Sequence, residues 1–124
     1  MRIALCLLGC VLSTACMTQQ AYDGPKLARD EVARISGDLR FTAGVPVSAL
    51  LRQVDGRTLS VSENAVDVPP GSHHLLVDCL VQETHSTNRY ALDVEVFAGE
   101  RYRLVAETGP GQRECSAVRL EAQD

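Results

Sequence analysis

The chain has 124 residues, enough for one domain. It is 45% hydrophobic and 23% charged, the balance of a folded protein rather than a disordered one. Aromatic residues make up only 4%, with no tryptophan, and the formal net charge is -4. Stacking platforms for sugars or single-stranded bases are therefore sparse, and the basic footprint that nucleic acid requires is missing.

The N-terminus reads as an export signal. Arg2 supplies a positive start, residues 3–11 are apolar and uncharged, and Ser13, Thr14 and Ala15 are small. The uncharged stretch over residues 3–15 falls short of the roughly 20 residues that a bilayer-spanning helix needs, and suits a signal peptide. Cys16 follows at the cleavage point. The segment Leu12-Ser13-Thr14-Ala15-Cys16 resembles the lipobox of bacterial lipoproteins, where small residues precede a cysteine that is acylated and becomes the new N-terminus. The leucine stands one residue further from the cysteine than is usual there. Cys10, after Leu7-Leu8-Gly9, fits the pattern locally but leaves too short an apolar run for export. Ordinary cleavage after Ala15 is the alternative, since Ser-Thr-Ala is also an A-x-A-like site. The resemblance implies a signal peptide over 1–15 and a lipidated Cys16 with a tether over 16–25. Acyl chains bury about 0.8 kcal/mol per CH₂, which makes such an anchor permanent. Met17 follows the cysteine where aspartate would signal inner-membrane retention, so the resemblance implies the periplasmic face of the outer membrane. Removing 1–15 takes away Arg2 and no acid, which moves the net charge from -4 to -5.

Of the five cysteines, Cys6 and Cys10 fall in the signal and Cys16 carries the lipid. Cys79 and Cys115 remain, an even pair in an oxidising compartment, and a disulfide between them is expected. It closes a loop of about 37 residues, for which chain entropy gives roughly 3–4 kcal/mol. Two separate buried thiols are the alternative. There is no C-x-x-C and the histidines do not cluster at ligand spacing, so neither a metal nor another cofactor is expected.

Residues 17–24 are polar and read as irregular, and Pro25 opens a short helical turn through Asp30 and Glu31. From Val32 the pattern is β. Residues 45–54 and 57–61 flank Asp55-Gly56, a strong hairpin signal. Residues 65–68 form a brief strand that Pro69-Pro70-Gly71 stops. Residues 73–82 are apolar on both faces, with Leu75, Val77, Cys79 and Val81 on one and Leu76 and Leu80 on the other, as in a strand covered on two sides. Tyr90, Leu92, Val94 and Val96 alternate with Arg89, Asp93 and Glu95, giving one buried and one wet face. Ala98-Gly99 then turns the chain into residues 101–107, where Tyr102, Leu104 and Ala106 point inward. Gly109-Pro110-Gly111 makes a loop. A last strand runs over residues 115–122 with Val118 and Leu120 inward, and Cys115, out of phase with both, sits at its start. The expected fold is all-β: a small antiparallel β-sandwich of about seven strands over 26–124.

The run Val54-Asp55-Gly56-Arg57, followed by Val66-Asp67-Val68-Pro69-Pro70-Gly71-Ser72-His73-His74-Leu75, resembles small PEGA-like domains. Residues 96–104 are similar to the closing hairpin of that family. Tyr22-Asp23-Gly24-Pro25, with Asp30-Glu31-Val32-Ala33, is similar to the start of uncharacterised Gram-negative lipoproteins. The P-E-G-A tetrapeptide itself is absent, with Gly44-Val45-Pro46-Val47 near its place. The resemblance implies a transthyretin-like sandwich and assigns no catalytic residues.

His73 and His74 are neighbours on a strand, so they point to opposite faces and do not readily share an ion. Ser60, Ser62 and Ser72 show no nucleophile elbow. Asp93 and Glu95 read as a solvated face, and Arg101 and Arg103 are expected to pair with them across a hairpin. No catalytic residues are expected. Two classes of function remain. One is a lipid-tethered, non-enzymatic docking module for an envelope protein, using a free strand edge. The other is a periplasmic inhibitor of a host enzyme such as lysozyme, acting through a polar loop over residues 83–88 or 108–114.

Overall fold

Valine- and leucine-rich segments, punctuated by glycine and proline, form ten strands in chain order among the described residues. They are β1 (Thr18–Gln20), β2 (Ala33–Ser36), β3 (Asp38–Thr42), β4 (Val45–Val54), β5 (Arg57–Thr58), β6 (Ala65–Val68), β7 (Gly71–Val81), β8 (Ser86–Val96), β9 (Arg101–Thr108) and β10 (Cys115–Gln123). The computed structural model describes residues 18–42, 45–59 and 65–123, and Cys16 lies outside them. The only helical elements among these residues are 3-10 turns at Arg29–Glu31 and Pro110–Gln112. No helix of the described residues is long and apolar enough to cross a membrane.

The strands make two sheets, ordered β1-β6-β2-β9-β10 and β3-β4-β7-β8, with β5 paired to β4. The all-β sandwich is thus observed, with more strands than the seven or so expected. It is also not wholly antiparallel, because β1 pairs in parallel with β6 and β2 in parallel with β9. Thr18–Gln20, assigned from the sequence to an irregular tether over 16–25, belongs to the first sheet. A three-residue polar strand has too few positions to show alternation. Its backbone pairing with β6 and a bond from Ala21 N–H to Asp67 O at 3.0 Å hold it in place.

The core lies between the sheets. Leu75, Val77, Cys79 and Val81 of β7 are fully buried and face Ile35, Val66, Tyr102 and Leu104 of the first sheet's inner side. Each large aliphatic side chain buried there contributes about 1.5–3 kcal/mol. The expectation that β7 is covered on two sides is corrected: Leu76 and Leu80 are half-buried, and Asp78 occupies the middle of the outer face. Two local devices keep the pattern in phase. A bulge at Arg52 in β4 lets Val47, Ala49 and Val54 all point inward despite the change of parity between Ala49 and Val54. A second irregularity between Cys115 and Ala117 does the same for Cys115 and Val118, which explains why the cysteine read as out of phase.

The chain changes sheet several times, among them at the short links from β2 to β3, from β6 to β7 across Pro69-Pro70, and from β8 to β9. Between β2 and β3 stands Gly37, where a Cβ would meet Ala49 O at 2.5 Å, so only glycine fits. After β8, residues 97–100 cross from the second sheet to the first, with Gly99 at φ +80 and Phe97 N–H donating to the Tyr102 hydroxyl at 2.9 Å. This is an arch between layers, so β8 and β9 are not hairpin partners.

Candidate functional site

The Asp55-Gly56 turn places both residues at positive φ, 51 and 81, as a tight β-hairpin requires. That conformation aims the Asp55 carboxylate across to the start of β7. One oxygen accepts the His74 backbone N–H at 2.7 Å, and the other lies 2.6 Å from His73 Nδ1. The His73 Nε2 is 2.6 Å from Pro69 O. The ring is thus held between a carboxylate and a backbone carbonyl. His73 thereby clasps the β4–β5 hairpin to the turn between β6 and β7. Burial works against ionisation of Asp55, but the His73 hydrogen bond and the His74 N–H outweigh it and hold the carboxyl below its ordinary range.

His74 points to the other face of the sheet, as alternation demands, and its Nδ1 lies 2.7 Å from Asp93 Oδ1. Its ring is half exposed and Asp93 almost fully so. These residues, with Ser72, Val94 and Glu95, line an open groove of about 510 Å³ at one end of the sandwich. His74 with Asp93 has the form of the base and orienting acid of a hydrolase, yet Ser72 makes no hydrogen bond to the ring. Both His73 nitrogens are engaged within the fold, by Asp55 and by Pro69 O. Among the described residues no group of three or more His, Cys, Asp or Glu is placed to hold a metal ion.

The chain matches no family model, and neither curated proteins nor solved structures show a significant match to it.

A second charged cluster occupies the outer face of the second sheet. Asp78 accepts from Arg52 Nε at 3.0 Å and from Arg89 Nε at 2.8 Å, with a further bond from Arg89 at 3.2 Å. Arg89 holds the Asp78 carboxyl below its ordinary range, against the burial that would raise it. An acid within the apolar run of β7 was the signal in the sequence. Its partners were not legible, because they lie on two other strands.

Arg101 and Arg103 do not pair with Asp93 and Glu95, and that expectation is corrected. The arginines stand on β9, in the opposite sheet, and Asp93 is engaged by His74. The Arg103 Nε is buried without a hydrogen-bond partner. Cys79 and Cys115 do come together, with Cα atoms 6.3 Å apart and the sulfurs at bonding distance. This pair staples β7 near its C-terminal end to the start of β10, one sheet to the other. Tyr90 adds a bond from its hydroxyl to Cys115 O at 2.8 Å.

The two loops singled out as inhibitory elements are short. Residues 86–88 belong to β8, leaving a turn at 82–85. Residues 109–114 are folded back by the 3-10 turn and by a bond from Gly109 N–H to Glu114 O at 3.1 Å. Thr84 Oγ1 donates to Arg113 O at 2.7 Å and ties the two loops to each other.

Proposed function

We propose that this protein is a lipid-anchored, non-enzymatic docking module of the bacterial envelope, held at the periplasmic face of the outer membrane through Cys16. Its partner adds an extended segment to the outer edge of β8. The observation that carries the reading is the upper part of β8: Leu92 and Val94 are only half-buried, and no described strand pairs with that edge. An open strand edge offers a row of backbone donors and acceptors, which is how extended segments are recognised. The groove beside it supplies His74, Asp93 and Glu95 as polar contacts that fix register. The signal-like residues 1–15, the small residues before Cys16 and the likeness to PEGA-like lipoproteins support the address.

The test is a photoreactive amino acid at Ala91 or Glu95, activated in intact cells, with mass spectrometry of the adducts. One dominant envelope protein, lost when Cys16→Ala removes the anchor, supports docking. Adducts spread evenly over many proteins would sink it. Inhibition of lysozyme below micromolar concentration would replace docking with the inhibitor reading.

A further inference from the structure

The relation between Cys16 and β1 fixes how the molecule must sit if Cys16 bears the lipid. Only Met17 separates Cys16 from the first residue of β1, Thr18. An extended chain advances at most about 3.6 Å per residue, so this link spans roughly 7 Å. The headgroup layer of one leaflet is itself about 5–8 Å deep, taking a 30 Å core from a 40–45 Å bilayer. The link is used up within the headgroups, and β1 lies at the membrane surface.

The register of the first sheet says which end is down. Thr18, Ala65, Ser36, Arg103 and Glu121 lie side by side across its five strands. From that level β1 runs upward toward Asp23, which is ion-paired to Arg57 beside the Asp55-Gly56 hairpin. In the opposite direction β9 runs from Arg103 to Thr108 and enters the 109–114 loop. That distance is about 17 Å at the usual rise per residue. It exceeds the reach of the link, so the sandwich leans until the β1 corner and the loop tips rest on the bilayer together.

We propose that residues 82–85 and 109–114 form a membrane-facing platform against phospholipid headgroups, and that the end bearing Asp55, His73, His74, Asp93 and Phe97 points away from the bilayer. The inference rests on the lipid-anchor reading above. The chemistry of the platform fits headgroups rather than acyl chains. Glu83, Thr84, His85 and Arg113 are exposed there, while the large hydrophobic residues exposed among the described side chains, Leu50 and Phe97, lie elsewhere. The Thr84–Arg113 bond holds the two loops as one surface. The orientation also presents the β8 edge and groove to the compartment, where a partner can reach them.

The test uses the full lipidated chain in vesicles of phosphatidylethanolamine and phosphatidylglycerol, with single exposed cysteines introduced as Glu83→Cys or Ala98→Cys. Labelling with a bulky polyethylene-glycol maleimide should be lost for Glu83→Cys in vesicles, retained for Ala98→Cys, and complete for both in detergent. A Gly/Ser insertion of about ten residues before Thr18, adding roughly 18 Å of reach, should restore labelling of Glu83→Cys. Equal labelling of both positions in vesicles, the reverse pattern, or protection that survives the insertion would overturn the orientation. Intact mass of the same sample separates this from failure of the anchor reading: an unmodified Cys16 overturns that reading itself, whatever the labelling pattern.

Discussion

Replacing both Cys79 and Cys115 by alanine tests the staple between the sheets. The residues are 36 apart in sequence, and both are buried in the native protein. Chain entropy assigns a closed loop of that length about 4 kcal/mol, nearly all of it through the unfolded state. The native structure keeps the Tyr90–Cys115 and Thr84–Arg113 backbone-directed bonds, so the loop remains placed after the sulfurs are gone. For a domain of this size the loss corresponds to about 15–20 °C in Tm. Urea unfolding of the oxidised protein and the double variant measures it. The slope m should rise in the variant, because an uncross-linked chain exposes more surface when it unfolds. A loss under about 1 kcal/mol with an unchanged m would show that the two thiols are not joined and would refute the argument.

Three further outcomes follow from the packing and the charges. Gly37→Ala should cost about 2–3 kcal/mol in urea unfolding, since the new methyl meets the Ala49 carbonyl and backbone must move; a neutral result would contradict the tight crossing. Leu75→Ala, at a fully buried site between the sheets, should cost about 3 kcal/mol by the same assay, and a cost near zero would mean that the site is not packed. Asp55 and Asp78 have folded-state pKa values below their ordinary ones, so the folded protein binds fewer protons than the unfolded chain in that range. Their stabilisation is present in full above about pH 4 and is lost as the pH falls through the depressed values. Asp78→Asn should therefore flatten the acid limb of a stability–pH curve while leaving its shape above pH 5 unchanged, and an unaltered acid limb would count against the Arg52–Asp78–Arg89 cluster.

Much of the second sheet, and the end of β6 in the first, was legible because the signals are local. Asp55-Gly56 marked a hairpin, Pro69-Pro70 ended β6, and the alternation of Tyr90 to Val96 gave the inner face of β8. What failed was non-local. Alternation says which side of a strand is wet, and nothing about which sheet the strand joins. That is why Arg101 and Arg103 were matched to Asp93 and Glu95 across a hairpin that is in fact an arch. Leu76 and Leu80 suggested a second covering layer for β7, whereas neighbouring strands supply Arg52 and Arg89 side chains beside them on that face. The groove was half visible: His73 and His74 stood out and were correctly placed on opposite faces, but Asp55 and Asp93 drew no notice as their partners. Sequence shows residue types at a turn, not the direction in which positive φ aims a carboxylate.

The arrangement of the first sheet also sets an order of events in time. Its centre pairs Arg34 with Arg101 and Ile35 with Tyr102, residues from opposite halves of the chain. By contrast, β4, β7 and β8 of the second sheet are joined through short or moderate loops. Closing a long loop before any contact rewards it is slow, so the second sheet should gain protection first and the first sheet last. Pulsed hydrogen exchange during refolding would show amides of β7 and β8 protected ahead of those of β2 and β9. A chain emerging N-terminus first could pair one edge of β2 with β6, but its other edge would stay open until β9 had also arrived. The first sheet therefore stays incomplete until almost the whole chain is available to fold.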